Sequence, residues 1–183
     1  MSRIHFALII CSLALVLPAC SQQQQTTSDL PANQAHAVSS DSSEAAKIPL
    51  SEVVRVSVAP VALKAGGAGE AAVRLAIADG YHINANPPTY PYLKATEIEI
   101  APEAGVTASK PTYPPALTKK FAFAEDQLAV YESEALINVP LRASNNASAG
   151  ARTLRAKIRV QACDEEKCFP PQNLETTIPL TIN

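Results

Sequence analysis

The strongest constraint on the fold is a two-residue alternation of apolar and polar side chains that recurs along the chain. It is clearest between Leu154 and Gln161, where apolar residues alternate with Arg, Lys, Arg and Gln. This period places the apolar side chains on one face of a β-strand and the polar ones on the other. The same pattern is found in Val54–Val58, Val73–Ile77, Thr96–Ile100, Leu136–Val139 and Leu174–Ile182.

Turn-forming residues separate these segments, and no run of twelve or more residues has helical periodicity. The pattern predicts an all-β domain of about seven or eight strands, arranged as an immunoglobulin-like β-sandwich with long loops. Two segments, residues 81–88 and 110–126, break the alternation and are rich in Pro and aromatic residues. Long loops on a rigid sheet often carry function, so these two segments are candidates to contribute to a functional site.

The charge composition excludes one class of partner. The chain has 183 residues, with 15 Lys and Arg against 17 Asp and Glu, a net charge of -2 and no basic cluster. A nucleic-acid-binding domain normally carries a basic surface. We therefore expect no nucleic acid among the partners.

Residues 1–19 have the organisation of an export signal. A positively charged start at Arg3 precedes an apolar run of fourteen residues, Ile4 to Leu17, whereas a bilayer-spanning helix needs about 20. Leu17-Pro18-Ala19-Cys20 resembles a bacterial lipobox, which predicts a lipoprotein signal peptide over 1–19 and lipidation of Cys20. An ordinary secretory signal cleaved nearby is the alternative.

Residues 20–48 are rich in Gln, Ser, Thr and Ala and contain no aromatic residue. Such a segment buries too little apolar surface to offset its ordering entropy, so we expect a flexible tether ahead of a folded domain over 49–183. Ser21 follows Cys20 in place of an Asp retention signal. The expected location is therefore the bacterial envelope, with a lipid anchor in the outer membrane and the domain facing the periplasm.

Two cysteines of the predicted domain, Cys163 and Cys168, are the candidates for chemistry. Four residues separate them, and in an oxidising compartment this spacing permits a disulfide. A structural staple, worth roughly 2 kcal/mol for so short a loop, and a redox-active pair are equally supported by these residues alone. A closed zinc site needs four ligands, and His82 is the only other nitrogen or sulfur ligand in 49–183, so no metal is expected.

Three segments carry a family resemblance: Val160-Gln161-Ala162-Cys163 through Cys168-Phe169-Pro170-Pro171, Asp79 to Pro87, and Leu128 to Glu132. They resemble the N-terminal periplasmic domain of the thiol:disulfide interchange protein DsbD. The resemblance implies an immunoglobulin-like fold, a redox couple of Cys163 and Cys168, and no cofactor.

The implied function is electron relay by thiol-disulfide exchange. The implied partners are a thioredoxin-like or CcdA/DsbD-like membrane electron donor and oxidised periplasmic proteins. Since the match covers roughly residues 50 to 183, we expect a stand-alone, lipid-anchored form of the domain, with the membrane donor on a separate polypeptide.

The resemblance also implies an aromatic cap loop over the cysteine pair. The matching residues are 120–124, with Phe123 as the cap and Phe121 as the second choice. Tyr81, His82 and Tyr131 are candidates to line the same surface, and His82 is a candidate proton acceptor. Ordinary packing is the alternative for each of these three residues.

Neighbouring charges indicate which cysteine attacks, because the thiolate is the nucleophile. The acidic residues 164–166 disfavour ionisation of Cys163, whereas Lys167 favours it at Cys168. We therefore expect Cys168 to form the mixed disulfide and Cys163 to resolve it, as in a protein-disulfide reductase. The competing hypothesis is a non-catalytic immunoglobulin-like binding or assembly lipoprotein with a structural disulfide.

Overall fold

The computed structural model describes residues 49–183, which form twelve β-strands and one single-turn helix. Each strand begins and ends close to a turn-forming residue or a change in the alternation. The elements are α1 (Leu50–Val53), β1 (Val54–Val58), β2 (Val61–Leu63), β3 (Ala68–Ile77), β4 (His82–Asn84), β5 (Glu97–Ile100), β6 (Val106–Ala108), β7 (Leu117–Lys119), β8 (Leu128–Tyr131), β9 (Glu134–Ala143), β10 (Gly150–Val160), β11 (Ala162–Cys163) and β12 (Gln172–Ile182).

The predicted signal peptide (1–19), the lipidation site Cys20 and the predicted tether (20–48) lie outside the described residues. Within residues 49–183, no helix has the length and apolar character needed to cross a membrane.

The strands form three four-stranded sheets. Sheet A has the order β1-β3-β9-β6, sheet B the order β2-β12-β10-β5, and sheet C the order β11-β4-β8-β7. Strand pairs are antiparallel except for β2 with β12. Sheets A and B bury their inner faces in one common core, for example Leu75 and Ile137 from sheet A with Ile158 and Ile178 from sheet B. The prediction of an all-β, immunoglobulin-like β-sandwich is confirmed.

The alternation that predicts β10 is reproduced in its burial. The apolar residues of 154–160 are buried and the three cations between them are exposed. The predicted number of strands was too low, because the additional strands have only two to four residues each. Alternation cannot be recognised over so short a length. Two of these short strands lie in segments predicted as loops: β4 in residues 81–88 and β7 in residues 110–126.

Charged side chains cover the outer face of sheet B. Lys157 of β10 lies opposite Glu99 of the edge strand β5 and opposite Glu175 of β12. Arg159 is paired with Glu97, with 2.7 Å between Nη2 and Oε2. Opposite charges that face each other across strands favour this register modestly at an exposed surface.

Candidate functional site

Cys163 and Cys168 are joined by a disulfide at the edge of sheet C. Their Cα atoms are 3.9 Å apart and the two residues form an antiparallel bridge. The backbone N–H of Phe169 donates to the carbonyl of Ala162 at 2.8 Å, and the N–H of Asp164 donates to the carbonyl of Lys167 at 2.9 Å. The bond expected from the spacing is present, and a tight hairpin brings the two sulfur atoms together.

The turn of this hairpin is held by Asp164. Its carboxylate accepts hydrogen bonds from the backbone N–H groups of Glu166, at 2.9 Å, and Lys167, at 2.8 Å. An aspartate that binds backbone N–H groups two and three residues further on is a common turn-forming device. Asp164 thus has a structural role in the turn, in addition to the electrostatic role that its charge predicts.

The two cysteines differ in exposure. Cys163 is completely buried, whereas Cys168 is partly exposed. Lys167 precedes Cys168 and its Nζ lies 5.5 Å from the centre of the Phe169 ring. A partner that approaches from solvent therefore meets Cys168 before Cys163.

His82 lies directly opposite Cys163 in the pairing of β4 with β11. Its side chain is buried, and its ring stacks on Phe121 with 4.0 Å between the ring centres. Burial lowers the pKa of His82 below its ordinary value, against the opposing effect of the Glu132 and Glu165 carboxylates. The buried cysteine consequently has a neutral imidazole beside it at neutral pH.

The two cap candidates occupy different positions in the same aromatic cluster. Phe121 is 2% exposed, whereas Phe123 is 38% exposed. Their ring centres are 5.4 Å apart, and Phe123 lies 6.4 Å from His82. The structure brings both candidates to His82, with Phe121 as the packed ring and Phe123 as the outer one. Phe123 as the cap stays a prediction.

The two tyrosines expected to line the site have separate environments. The ring of Tyr81 lies 6.5 Å from that of Phe169, next to the cysteine hairpin. Tyr131 is buried opposite Ile83 and packs in the main core. Its hydroxyl accepts a hydrogen bond from the backbone N–H of Asn86 at 3.1 Å. Tyr81 thus borders the hairpin, while Tyr131 has the role of a packing residue.

The structure adds Gln161 to the site. Its Oε1 accepts hydrogen bonds from the Lys94 backbone N–H, at 2.9 Å, and from Nδ2 of Asn84, at 3.0 Å. Its Nε2 donates to the carbonyl of Phe169 at 3.2 Å. One side chain therefore ties the cysteine hairpin to β4 and to the loop that follows it. In the sequence, the Gln-Ala-Cys motif draws attention to Gln161, but it does not reveal the hydrogen-bond partners of the side chain.

An ion-pair network borders the hairpin. Nζ of Lys119 lies 2.7 Å from Oε1 of Glu132 and 3.4 Å from Oε1 of Glu165. The network links β7, the residue after β8 and the cysteine turn, and sequence reasoning missed it because the three residues are distant in the chain. Within residues 49–183, no cluster of three or more His, Cys, Asp and Glu side chains could hold a metal ion.

Replacement of Gln161 by Ala is expected to destabilise the oxidised protein by about 1–3 kcal/mol, because the buried residues Asn84 and Phe169 each lose a hydrogen bond. The exposed Gln127 is the matched control, and Gln127→Ala is expected to change stability by less than about 0.5 kcal/mol. Urea unfolding of the two variants and the parent measures the difference. Equal midpoints for all three proteins would show that the Gln161 contacts contribute nothing.

The fold and the site together define an all-β domain that presents a disulfide on a short, partly exposed hairpin. The chain matches the family described as "Thiol:disulfide interchange protein DsbD, N-terminal" over residues 47–179. The protein belongs to this family, whose described activity is thiol-disulfide interchange. Sequence comparison with curated proteins gives no match.

Three similar solved structures have low sequence identity to this chain. The reduced DsbD N-terminal domain of Neisseria meningitidis is 20% identical, with 72% of this chain and 88% of that chain covered and a TM-score of 0.48. The N-terminal periplasmic domain of ScsB from Proteus mirabilis is 15% identical, with coverage of 73% and 49% and a TM-score of 0.47. A complex of the DsbD and PilB N-terminal domains from Neisseria meningitidis gives 20% identity, coverage of 68% and 80% and a TM-score of 0.43.

Proposed function

We propose that this protein is an electron-relay module of the bacterial envelope, with Cys163 and Cys168 as its redox couple. The observation that carries the proposal is the arrangement of the disulfide in a member of a thiol-disulfide interchange family. One sulfur belongs to a partly exposed residue, and the other belongs to a buried residue beside His82. An exchange couple needs one sulfur that a partner can reach and a second that can release the partner.

The reaction begins with the dithiol form. The Cys168 thiolate attacks a sulfur of the partner's disulfide, so that a Cys168-partner disulfide forms and the partner's second sulfur leaves as a thiolate. Cys163 then attacks Cys168, the partner's first sulfur leaves as a thiolate, and the Cys163–Cys168 disulfide returns. Two electrons pass to the partner, which takes up two protons as it becomes a dithiol. Reduction of this protein by its donor is the reverse sequence.

The neighbours of each cysteine support this division of roles. The Lys167 ammonium next to Cys168 favours the thiolate there. Cys163 is buried, and a buried thiol is protected from external disulfides but remains within reach of Cys168. Phe123 is the more exposed ring of the aromatic cluster, which supports the proposal that it limits access to the disulfide as a cap.

The location and partners follow from the same proposal. Lipidation at Cys20 and a flexible tether over 20–48 would hold the domain at the outer membrane, facing the periplasm. A thioredoxin-like or CcdA/DsbD-like membrane protein would supply the electrons, and oxidised periplasmic proteins would receive them.

The reduction potential of the full-length protein tests the proposal against the structural-staple alternative. Equilibration with glutathione redox buffers, followed by mass spectrometry of the alkylated protein, gives the value. A working couple is expected between about -120 and -270 mV. A potential well below about -300 mV would identify an inert structural bond and would favour the non-catalytic binding or assembly hypothesis.

A further inference from the structure

Sheet C brings together the side chains of Cys168, Cys163 and His82, which could exchange electrons and a proton. Cys168 lies opposite Cys163 in the hairpin bridge, and Cys163 lies opposite His82 in the pairing of β11 with β4. Residues that are directly opposite in antiparallel strands present their side chains on the same face, with Cβ atoms about 4.5–5.5 Å apart. The imidazole of His82 and both sulfur atoms therefore share one face of the sheet.

The charged groups around His82 lie on β7, on the residue after β8 and on the cysteine turn. The β4–β8 register, with Ile83 opposite Tyr131, places Glu132 beside His82. Burial lowers the pKa of His82, while the Glu132, Glu165 and Asp164 carboxylates raise it and the Lys119 ammonium lowers it. Glu132 and Lys119 thus shift the pKa of His82 in opposite directions.

One nitrogen of His82 needs a partner that the oxidised protein does not give it. Nε2 is buried and has no hydrogen-bond partner among the described residues. A buried polar atom without a partner is unusual and calls for an explanation. Reduction of the disulfide creates an S–H donor at Cys163, on the same face of the sheet. The Cys163 thiol of the dithiol form is therefore a candidate donor to this nitrogen.

We propose that His82 accepts the proton of Cys163 in the step that resolves the mixed disulfide. The Cys163 S–H bond breaks as its proton moves to Nε2, and the Cys163 sulfur forms a bond to the Cys168 sulfur. The bond between Cys168 and the partner breaks, and the partner sulfur leaves with the electron pair. The imidazolium then returns its proton to the leaving thiolate or to water. This inference rests on the redox role proposed for the two cysteines.

A small aromatic disulfide, dithiobis(nitrobenzoate), separates the two steps in the reduced full-length protein. Attack by Cys168 releases one coloured thiolate, and resolution by Cys163 releases the second. The two absorbance phases therefore report the two cysteines separately. A variant with both Cys163→Ser and Cys168→Ser gives the background from other thiols.

His82→Phe retains a ring to stack on Phe121 but removes the proton acceptor. At neutral pH we expect the second phase to slow by about tenfold or more and the first phase to keep its rate. In the parent, the second phase should level off above the pKa of His82. In His82→Phe it should rise about tenfold per pH unit, because only the ionised fraction of Cys163 then reacts. An unchanged second phase with an unchanged pH profile would overturn the proposal.

Two further variants keep the test independent of the folding of His82→Phe. Glu132→Gln is expected to shift the inflection of the second phase to lower pH, and Lys119→Met to higher pH, because these charges act on His82 in opposite directions. If neither variant moves the pH profile of the second phase, the role proposed for His82 is contradicted, whereas the redox role of the cysteines is not. If the parent releases no coloured thiolate above the double-serine background, the redox role of the cysteines fails instead, so the two failures are distinguishable.

Discussion

Replacement of Cys168 by Ser is expected to abolish trapped mixed disulfides with oxidised partner proteins, whereas Cys163→Ser is expected to accumulate them. The reason is geometric: Cys168 is partly exposed and Cys163 is completely buried. Without Cys163 the intermediate has no resolving thiol, and without Cys168 no accessible sulfur begins the reaction. Non-reducing electrophoresis of envelope extracts from cells that produce each full-length variant measures the trapped species.

The two variants are matched, because each protein loses one sulfur atom from the same hairpin. A variant that lacks both cysteines measures mixed disulfides formed at Cys11 or Cys20. Accumulation in Cys168→Ser instead of Cys163→Ser would reverse the assignment of attacking and resolving cysteines. Equal low levels in all three variants would argue against exchange at this disulfide.

Phe121→Ala is expected to destabilise the oxidised protein by about 3–5 kcal/mol, since truncation of a buried Phe creates a cavity. Phe121 packs in a small core with Leu128 and Val130, and the partly buried Tyr90 and Leu93 pack against this core. This loss is a large part of the roughly 5–15 kcal/mol that holds a domain of this kind together. Chemical denaturation with guanidinium chloride gives the change in unfolding free energy.

Phe123→Ala is the matched control from the same loop. Because Phe123 is 38% exposed, its truncation should cost less than about 1 kcal/mol. If Phe123 is the cap, dithiothreitol should nevertheless reduce the disulfide of Phe123→Ala faster than that of the parent, despite the small change in stability. Equal destabilisation by both substitutions would show that the two rings are equally packed. An unchanged reduction rate in Phe123→Ala would remove Phe123 from the cap role.

The long strands were predictable because one face of each strand packs in the core and the other faces solvent. In β10 each apolar residue of 154–160 enters the core and each cation faces solvent. Sheet C was not predictable in this way. All three residues of β4 are buried, so the strand has no alternation, and β11 has only two residues. Sheet C forms because strands distant in the chain pair with one another. They pair through backbone atoms, which leave no signal in the sequence.

The same limit applies to the site. The cysteine pair and His82 could be proposed from the sequence, since their side chains have distinctive chemistry. The role of Gln161 depends on Lys94, which is 67 positions away. Phe121 and Phe123 are two residues apart and chemically identical, so only tertiary packing decides which ring is buried. Sequence reasoning identified the two cysteines that form the disulfide and the neighbouring His82, but not the contacts around them.

The outer face of sheet B has a consequence for self-association of the domain. Strand β5 is an edge of that sheet and has Glu97 and Glu99 on its solvent face. An edge strand can accept a strand from a second copy, but here the backbone N–H of Ile98 already donates to the Tyr113 hydroxyl at 3.2 Å. Antiparallel pairing centred on Ile98 would place Glu97 of one copy opposite Glu99 of the other. Like charges directly opposite each other are unfavourable, so this edge resists pairing with the same strand of a second copy.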